Sequence, residues 1–133
     1  MTTRQWTTDS VRIVRAEALR DAVDAPAARG RATASEFTGS GGKQTWIGVV
    51  RLPGGANTGP HHHGRHEVAI WVVAGRSEIR WGDQLEFSAE LEVGDFAYFA
   101  PHVPHQERNL EPDMPVDFGV VRSDGEAIRF NLA

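Results

Sequence analysis

The chain predicts an all-β fold, a sandwich or barrel of short strands in a single domain. Three observations carry that prediction. From Ala34 onward, short stretches rich in Val, Ile, Trp, Phe and Tyr follow one another at a regular spacing. Gly and Pro, 14 and 7 in number, fall mostly between those stretches, where turns are needed. A length of 133 residues suits one domain that buries roughly two-thirds of its unfolded surface.

The N-terminal region is the exception to the strand pattern. Val11 to Val14 suits a short strand and Ala16 to Val23 a short helix, with Pro26 to Gly30 ending them as a loop. Ala34 to Thr38 is again extended. Lys43 to Leu52 reads as a strand bounded by Gly41-Gly42 and Pro53-Gly54-Gly55. Further strands are expected at Glu67 to Ala74, Ser77 to Trp81, Gln84 to Val93, Phe96 to Phe99, Pro115 to Val121 and Ala127 to Leu132. Gly75-Arg76 and Gly82-Asp83 are expected to be hairpin turns. Leu85 to Glu92 alternates as an edge strand whose charged face discourages edge-to-edge pairing. The domain thus divides into an extension (1–42), a core (43–121) and a closing strand (122–133).

Composition narrows the chemistry. There is no cysteine, so disulfides, thiolate ligands and cysteine nucleophiles are excluded, and any metal must be held by nitrogen and oxygen. The net charge of -4 argues against nucleic acid, which requires a basic face. No apolar run approaches the ~20 residues of a membrane span. Met1 to Trp6 lacks the apolar core of a signal peptide, so a cytoplasmic location is expected.

All six histidines lie between His61 and His105, in two groups. The first, His61-x-His63-x3-Glu67, runs into the apolar stretch Val68 to Ala74. On an extended backbone its three odd-numbered residues would share a face. Two imidazoles and a carboxylate would form a facial set suited to Fe(II), Mn, Ni, Co or Zn, with positions left open. Ala69, Trp71 and Val73 would continue that face. The same residues also suit a solvated polar turn. In the second group, Pro101 and Pro104 fix φ on either side of His102-Val103, making a rigid corner that delivers His105.

The two groups together resemble the cupin superfamily, whose motifs are written G(X)5HXH(X)3,4E(X)6G and G(X)5PXG(X)2H(X)3N. Gly55-x5-His61-x-His63-x3-Glu67 matches the first, and Gly94-x5-Ala100-Pro101-His102-x2-His105-x3-Asn109 has the spacing of the second. The resemblance implies a small β-barrel of the double-stranded β-helix or jelly-roll kind, with a short N-terminal strand or helix extension. It implies one divalent transition metal held by His61, His63, Glu67 and His105. Three positions depart from the pattern. Seven residues separate Glu67 from Gly75 where the motif has six, which a bulge would absorb; otherwise Glu67 points away and His66 or His62 replaces it. Ala100 stands for Pro. His102 stands for Gly, which strains the turn if it needs φ > 0.

An enzyme acting on a small organic molecule follows from the resemblance, with dioxygenase chemistry first. Isomerase, lyase or cyclase chemistry at the same metal, and a non-catalytic ligand-binding module, are the alternatives. Trp46, Trp71, Phe96 and Tyr98 would line the pocket. Tyr98, on the strand leading to His105, would serve as the catalytic proton-transfer or hydrogen-bonding group. Arg51, Arg80 and Arg122 would pair with an anionic substrate or lie exposed. Such proteins commonly dimerise through exchanged terminal strands, so a homodimer is expected, with Val11 to Val14 and Ala34 to Thr38 as the strands exchanged.

Overall fold

Alternation decides which side chains go inside. In three of the seven-residue strands it is the even-numbered apolar residues: Trp46, Val50 and Leu52, then Val68, Ile70 and Val72, then Val116, Phe118 and Val120. Ile79 and Phe99 complete this core. The computed structural model describes residues 8–11, 13, 15, 17, 20–21, 31–32, 46–123 and 129–132. In chain order its strands are β1 (Arg20–Asp21), β2 (Arg31–Ala32), β3 (Trp46–Leu52), β4 (His61–His62), β5 (Val68–Ala74), β6 (Ser77–Trp81), β7 (Phe87–Leu91), β8 (Phe96–Phe99), β9 (His105–Asn109), β10 (Val116–Arg122) and β11 (Phe130–Asn131). No helix among the described residues is long and apolar enough to cross a membrane.

The strands form two antiparallel sheets, ordered β1-β2-β3-β10-β5-β8 and β11-β4-β9-β6-β7. The pairings are nested: β6 with β7, β5 with β8, β4 with β9 and β3 with β10. The chain is therefore one long hairpin whose tip is the Gly82-Asp83 turn, rolled up so that its arms pass from sheet to sheet. This is a jelly roll. The sheets face each other as an open sandwich and do not close into a hydrogen-bonded ring.

Most expected strands fall where the alternation put them, and β7 is the edge strand of its sheet. Four expectations differ. Arg20–Asp21 forms a strand paired with Arg31–Ala32, so the helix expected over Ala16 to Val23 is not formed at those two positions. Val11 and Ile13 are exposed and lie in no strand, while Ala34 to Thr38 falls outside the described residues. Gly75-Arg76 is no hairpin, because it carries the chain from β5 in one sheet to β6 in the other. Gly75 sits at φ 81°, and a Cβ there would lie 2.7 Å from the Pro115 carbonyl oxygen, so only glycine fits that crossing. Finally, the segment beyond the Pro101–Pro104 corner, where no strand was expected, forms β9, while the first histidine group, read as extended backbone or a polar turn, opens with β4.

Candidate metal centre

The nested hairpin explains how histidines far apart in sequence meet. Asp83, at the tip, lies midway along the chain between His61 and His105, and these two are Cα partners across β4 and β9. His63 follows on the same arm. Its ring centroid is 5.0 Å from that of His61 and 5.4 Å from that of His105. All three side chains are buried, and one ligand atom from each lies within 4.8 Å of the others.

Backbone carbonyls set the direction in which two of these rings donate. His61 Nδ1 is 2.8 Å from the Gly59 carbonyl oxygen, and His105 Nδ1 is 3.0 Å from that of Val103. A carbonyl only accepts, so each Nδ1 carries the proton and each Nε2 keeps a lone pair. Burial pushes the His61 pKa down to about 4 against the opposing pull of Glu107, so the ring is neutral at pH 7. His105 Nε2 is buried with no hydrogen-bond partner. Phe99 stacks on the His105 ring at 4.0 Å between centroids and holds its plane. A buried lone pair beside two more imidazoles suits a first-row divalent ion.

Glu67, expected as the fourth ligand, is not brought to this cluster. Its face-sharing with His61 and His63 required an extended backbone throughout, but the chain turns at Gly64-Arg65, where Gly64 has φ 60° and the His66 N–H donates to the His63 carbonyl at 3.2 Å. Parity resets there. Beyond the turn Val68 and Ile70 face the histidines, and Glu67 faces out, exposed, with its carboxylate accepting the Tyr98 hydroxyl at 2.6 Å. The expected bulge does occur: between Asp117↔Ala74 and Phe118↔Val72 the register leaves Val73 unpaired. It absorbs the extra residue before Gly75 without turning Glu67 inward. His66 is buried but outside the group of converging ligand atoms. His62 stacks on Phe130, and His102 is exposed at φ 65°, the positive value its place in the motif demands.

A different carboxylate lies at the cluster. Glu107, two residues past His105 on β9, is buried, with Oε2 3.9 Å from His61 Nε2 and Oε1 3.6 Å from His105 Nε2. The Thr58 hydroxyl donates to Oε2 at 3.0 Å. Burial raises the pKa of this carboxyl, but His105, His61, the Thr58 hydrogen bond and His63 outweigh it, and the net shift is downward. Sequence reasoning passed over Glu107 because 105–109 was not read as a strand. The i, i+2 spacing from His105 was the available signal.

Beside these groups is a cavity of about 40 Å³ walled by Val50, Val68, Ile70, Phe118 and Val120, with Arg122 and Arg129 also on its lining. Arg122 is buried, its guanidinium 4.2 Å from the centre of the Trp46 ring. Arg51 and Arg80 are surface residues, bonded to Asp117 and Glu78. Of the expected pocket walls, Trp46 serves as this platform. Trp71 and Phe96 stack on each other at 6.0 Å away from the histidines. Tyr98 is exposed, bound to Glu67, and takes no part in the cluster, but with Phe96 it does line a separate, larger cavity of about 460 Å³.

A jelly roll with three histidines converging in its interior defines a small β-sandwich protein with a candidate metal site. The chain belongs to the cupin family: the cupin domain matches residues 48–122. No curated protein matches the chain in sequence. Among solved structures it is similar to a protein with a double-stranded β-helix domain from Klebsiella pneumoniae, at 24% identity over 66% of this chain and 74% of that one, with TM-score 0.59. It is similar to Lactobacillus farciminis oxalate decarboxylase in its formate complex, at 16% identity over 87% of this chain and 34% of that one, TM-score 0.74. A recombinant oxalate oxidase in complex with glycolate gives 16% identity over 80% of this chain and 56% of that one, TM-score 0.66. The chain therefore spans well under two-thirds of the oxalate enzymes, and at these identities the likeness is one of fold.

Proposed function

We propose that the chain is a metal-dependent cupin enzyme of the dioxygenase type, acting on a small organic anion. The observation that carries this reading is the convergence of His61, His63 and His105, with His105 Nε2 buried and offered no hydrogen bond by the protein. These three residues would hold one Fe, Mn, Ni, Co or Zn ion. When bound, such an ion supplies Lewis acidity toward a chelating substrate and, as iron or nickel, the capacity to use dioxygen as oxidant.

The chain's own residues constrain the substrate. Val50, Val68, Ile70, Phe118 and Val120 form the apolar walls of the cavity, and a volume of about 40 Å³ admits only a few heavy atoms. Arg122 and Arg129 on its lining favour an anionic group, for which a guanidinium offers paired donors. The structural neighbours named for oxalate, formate and glycolate handle molecules of that size and charge, which supports the same class here. Purified protein is expected to carry close to one transition-metal ion per chain, and His63→Ala to lose it. Wild-type protein without metal, or His63→Ala that keeps it, overturns the reading. Metal-dependent oxygen uptake with small carboxylates separates oxidation from isomerase, lyase or cyclase chemistry and from plain ligand binding.

The reading includes a homodimer. Val49, Val73 and Phe96 are exposed on the outer side of the β3–β10–β5–β8 sheet, a face that a second copy would cover. A monomeric mass by light scattering at working concentration removes this part alone.

A further inference from the structure

We propose that Glu107, and not Glu67, supplies the carboxylate of the metal centre, completing a set of His61, His63, His105 and Glu107. The assignment rests on the metal reading above and deepens it. The family pattern takes its carboxylate from the first motif; here it would come from the second, on the opposite arm of the hairpin.

Distances are the first support. The Glu107 carboxylate oxygens lie 3.9 Å from His61 Nε2 and 3.6 Å from His105 Nε2. Both separations are too long for an N–H···O hydrogen bond, which needs about 2.7–3.2 Å. Both nitrogens also lack a proton to give, because the Nδ1 positions hold it against Gly59 and Val103. Two ligand atoms each about 2.1 Å from one ion stand roughly 3.0–3.5 Å apart at octahedral to tetrahedral angles. The observed gaps are those of ligands that would draw in slightly around a shared cation.

Charge and support point the same way. A buried carboxylate is costly in proportion to the acceptor positions left unpaired, and on the side toward His61 and His105 this one meets lone pairs, a gap that a cation would fill. Thr58 fixes it from behind: its hydroxyl donates to Oε2 at 3.0 Å and accepts the Glu107 N–H at 3.1 Å, while the Thr58 N–H donates to the Glu107 carbonyl at 2.9 Å. Such outer hydrogen bonds hold a ligating carboxylate in one orientation. Glu67 has none of this. It is exposed, and its carboxylate is engaged by Tyr98.

Cobalt(II) is the probe, because its d–d absorption reports ligand type and geometry independently of turnover. Titration of metal-free protein is expected to give Glu107→Gln at least tenfold weaker Co(II) binding and a shifted d–d band, while Glu67→Gln matches wild type in both. The assignment is overturned if Glu107→Gln binds and absorbs as wild type, or if Glu67→Gln is the variant that weakens. In either case His63→Ala should still lose the ion, leaving the three-histidine reading intact; a wild type that binds no Co(II) overturns both. Should Glu107→Gln fail to fold, Glu107→Asp withdraws the carboxylate by one methylene, and the same tenfold loss is expected of it.

Discussion

Among the described residues, two hollows have opposite character. One is the cavity of about 40 Å³ reached by His61, His63, Glu107, Arg122 and Arg129. The other, of about 460 Å³, opens between the edge strands β7 and β8 and is walled mainly by apolar side chains, Ile79, Trp81, Leu91, Phe99 and Val103 among them, with Tyr98 also on its lining. The roomy hollow has space for an organic ligand but lacks convergent polar groups to orient one, whereas the small hollow has those groups and little space. The candidate metal ligands sit where the nested hairpin brings the two motif arms face to face, and the difference between the hollows comes from which strands meet there.

The partition itself is the most direct thing to break. Phe99 lines the apolar hollow and stacks on His105, so Phe99→Ala merges the open space with the back of a candidate ligand. Loss of this buried ring is expected to cost about 3–5 kcal/mol in urea or thermal unfolding. Metal affinity is expected to fall roughly tenfold as His105 loses the surface that fixes its plane. A variant that loses stability but binds metal as wild type would show that Val103 alone, through its carbonyl, orients the imidazole.

Much of this contrast was legible in the sequence, and the parts that were not share a cause. Alternation located β3, β5, β6, β8 and β10, and Gly82-Asp83 marked the tip. Reflecting the chain about that tip already pairs His61 with His105. What misled was parity carried across a turn. His61, His63 and Glu67 share odd numbers, but Gly64 at φ 60° resets the count, so the residues that face the site from β5 are Val68 and Ile70. The converse error hid Glu107. Strands as short as β4, and as polar as β9, carry no apolar alternation to announce them, because their inward positions are His and Glu instead of Val and Ile. Arg122, for which the sequence left substrate pairing and surface exposure both open, is buried over Trp46. Functional positions break the patterns by which strands are found.

Proton linkage sharpens the comparison, since the small hollow holds buried His61 and Glu107, whereas the large one has only the exposed Tyr98 hydroxyl among titrating groups on its lining. His61 has its pKa lowered from 6.5 to about 4, chiefly by burial. Between those values the unfolded chain binds a proton that the folded chain refuses, so unfolding is favoured as pH falls. The contribution is fully present above pH 6.5, erodes from there toward pH 4, and is gone below it. At the usual conversion its size is on the order of 3 kcal/mol. Glu107, whose pKa is also depressed, loses its contribution in the same direction at lower pH. Metal-free protein is therefore expected to be markedly less stable at pH 4.5 than at pH 7.5 in urea unfolding. His61→Asn, which has no proton to gain, should flatten that dependence across the same window. Equal pH dependence in the two proteins would mean that His61 takes up its proton in the folded state as readily as in the unfolded one, and that the small hollow is wetter than its apolar walls imply.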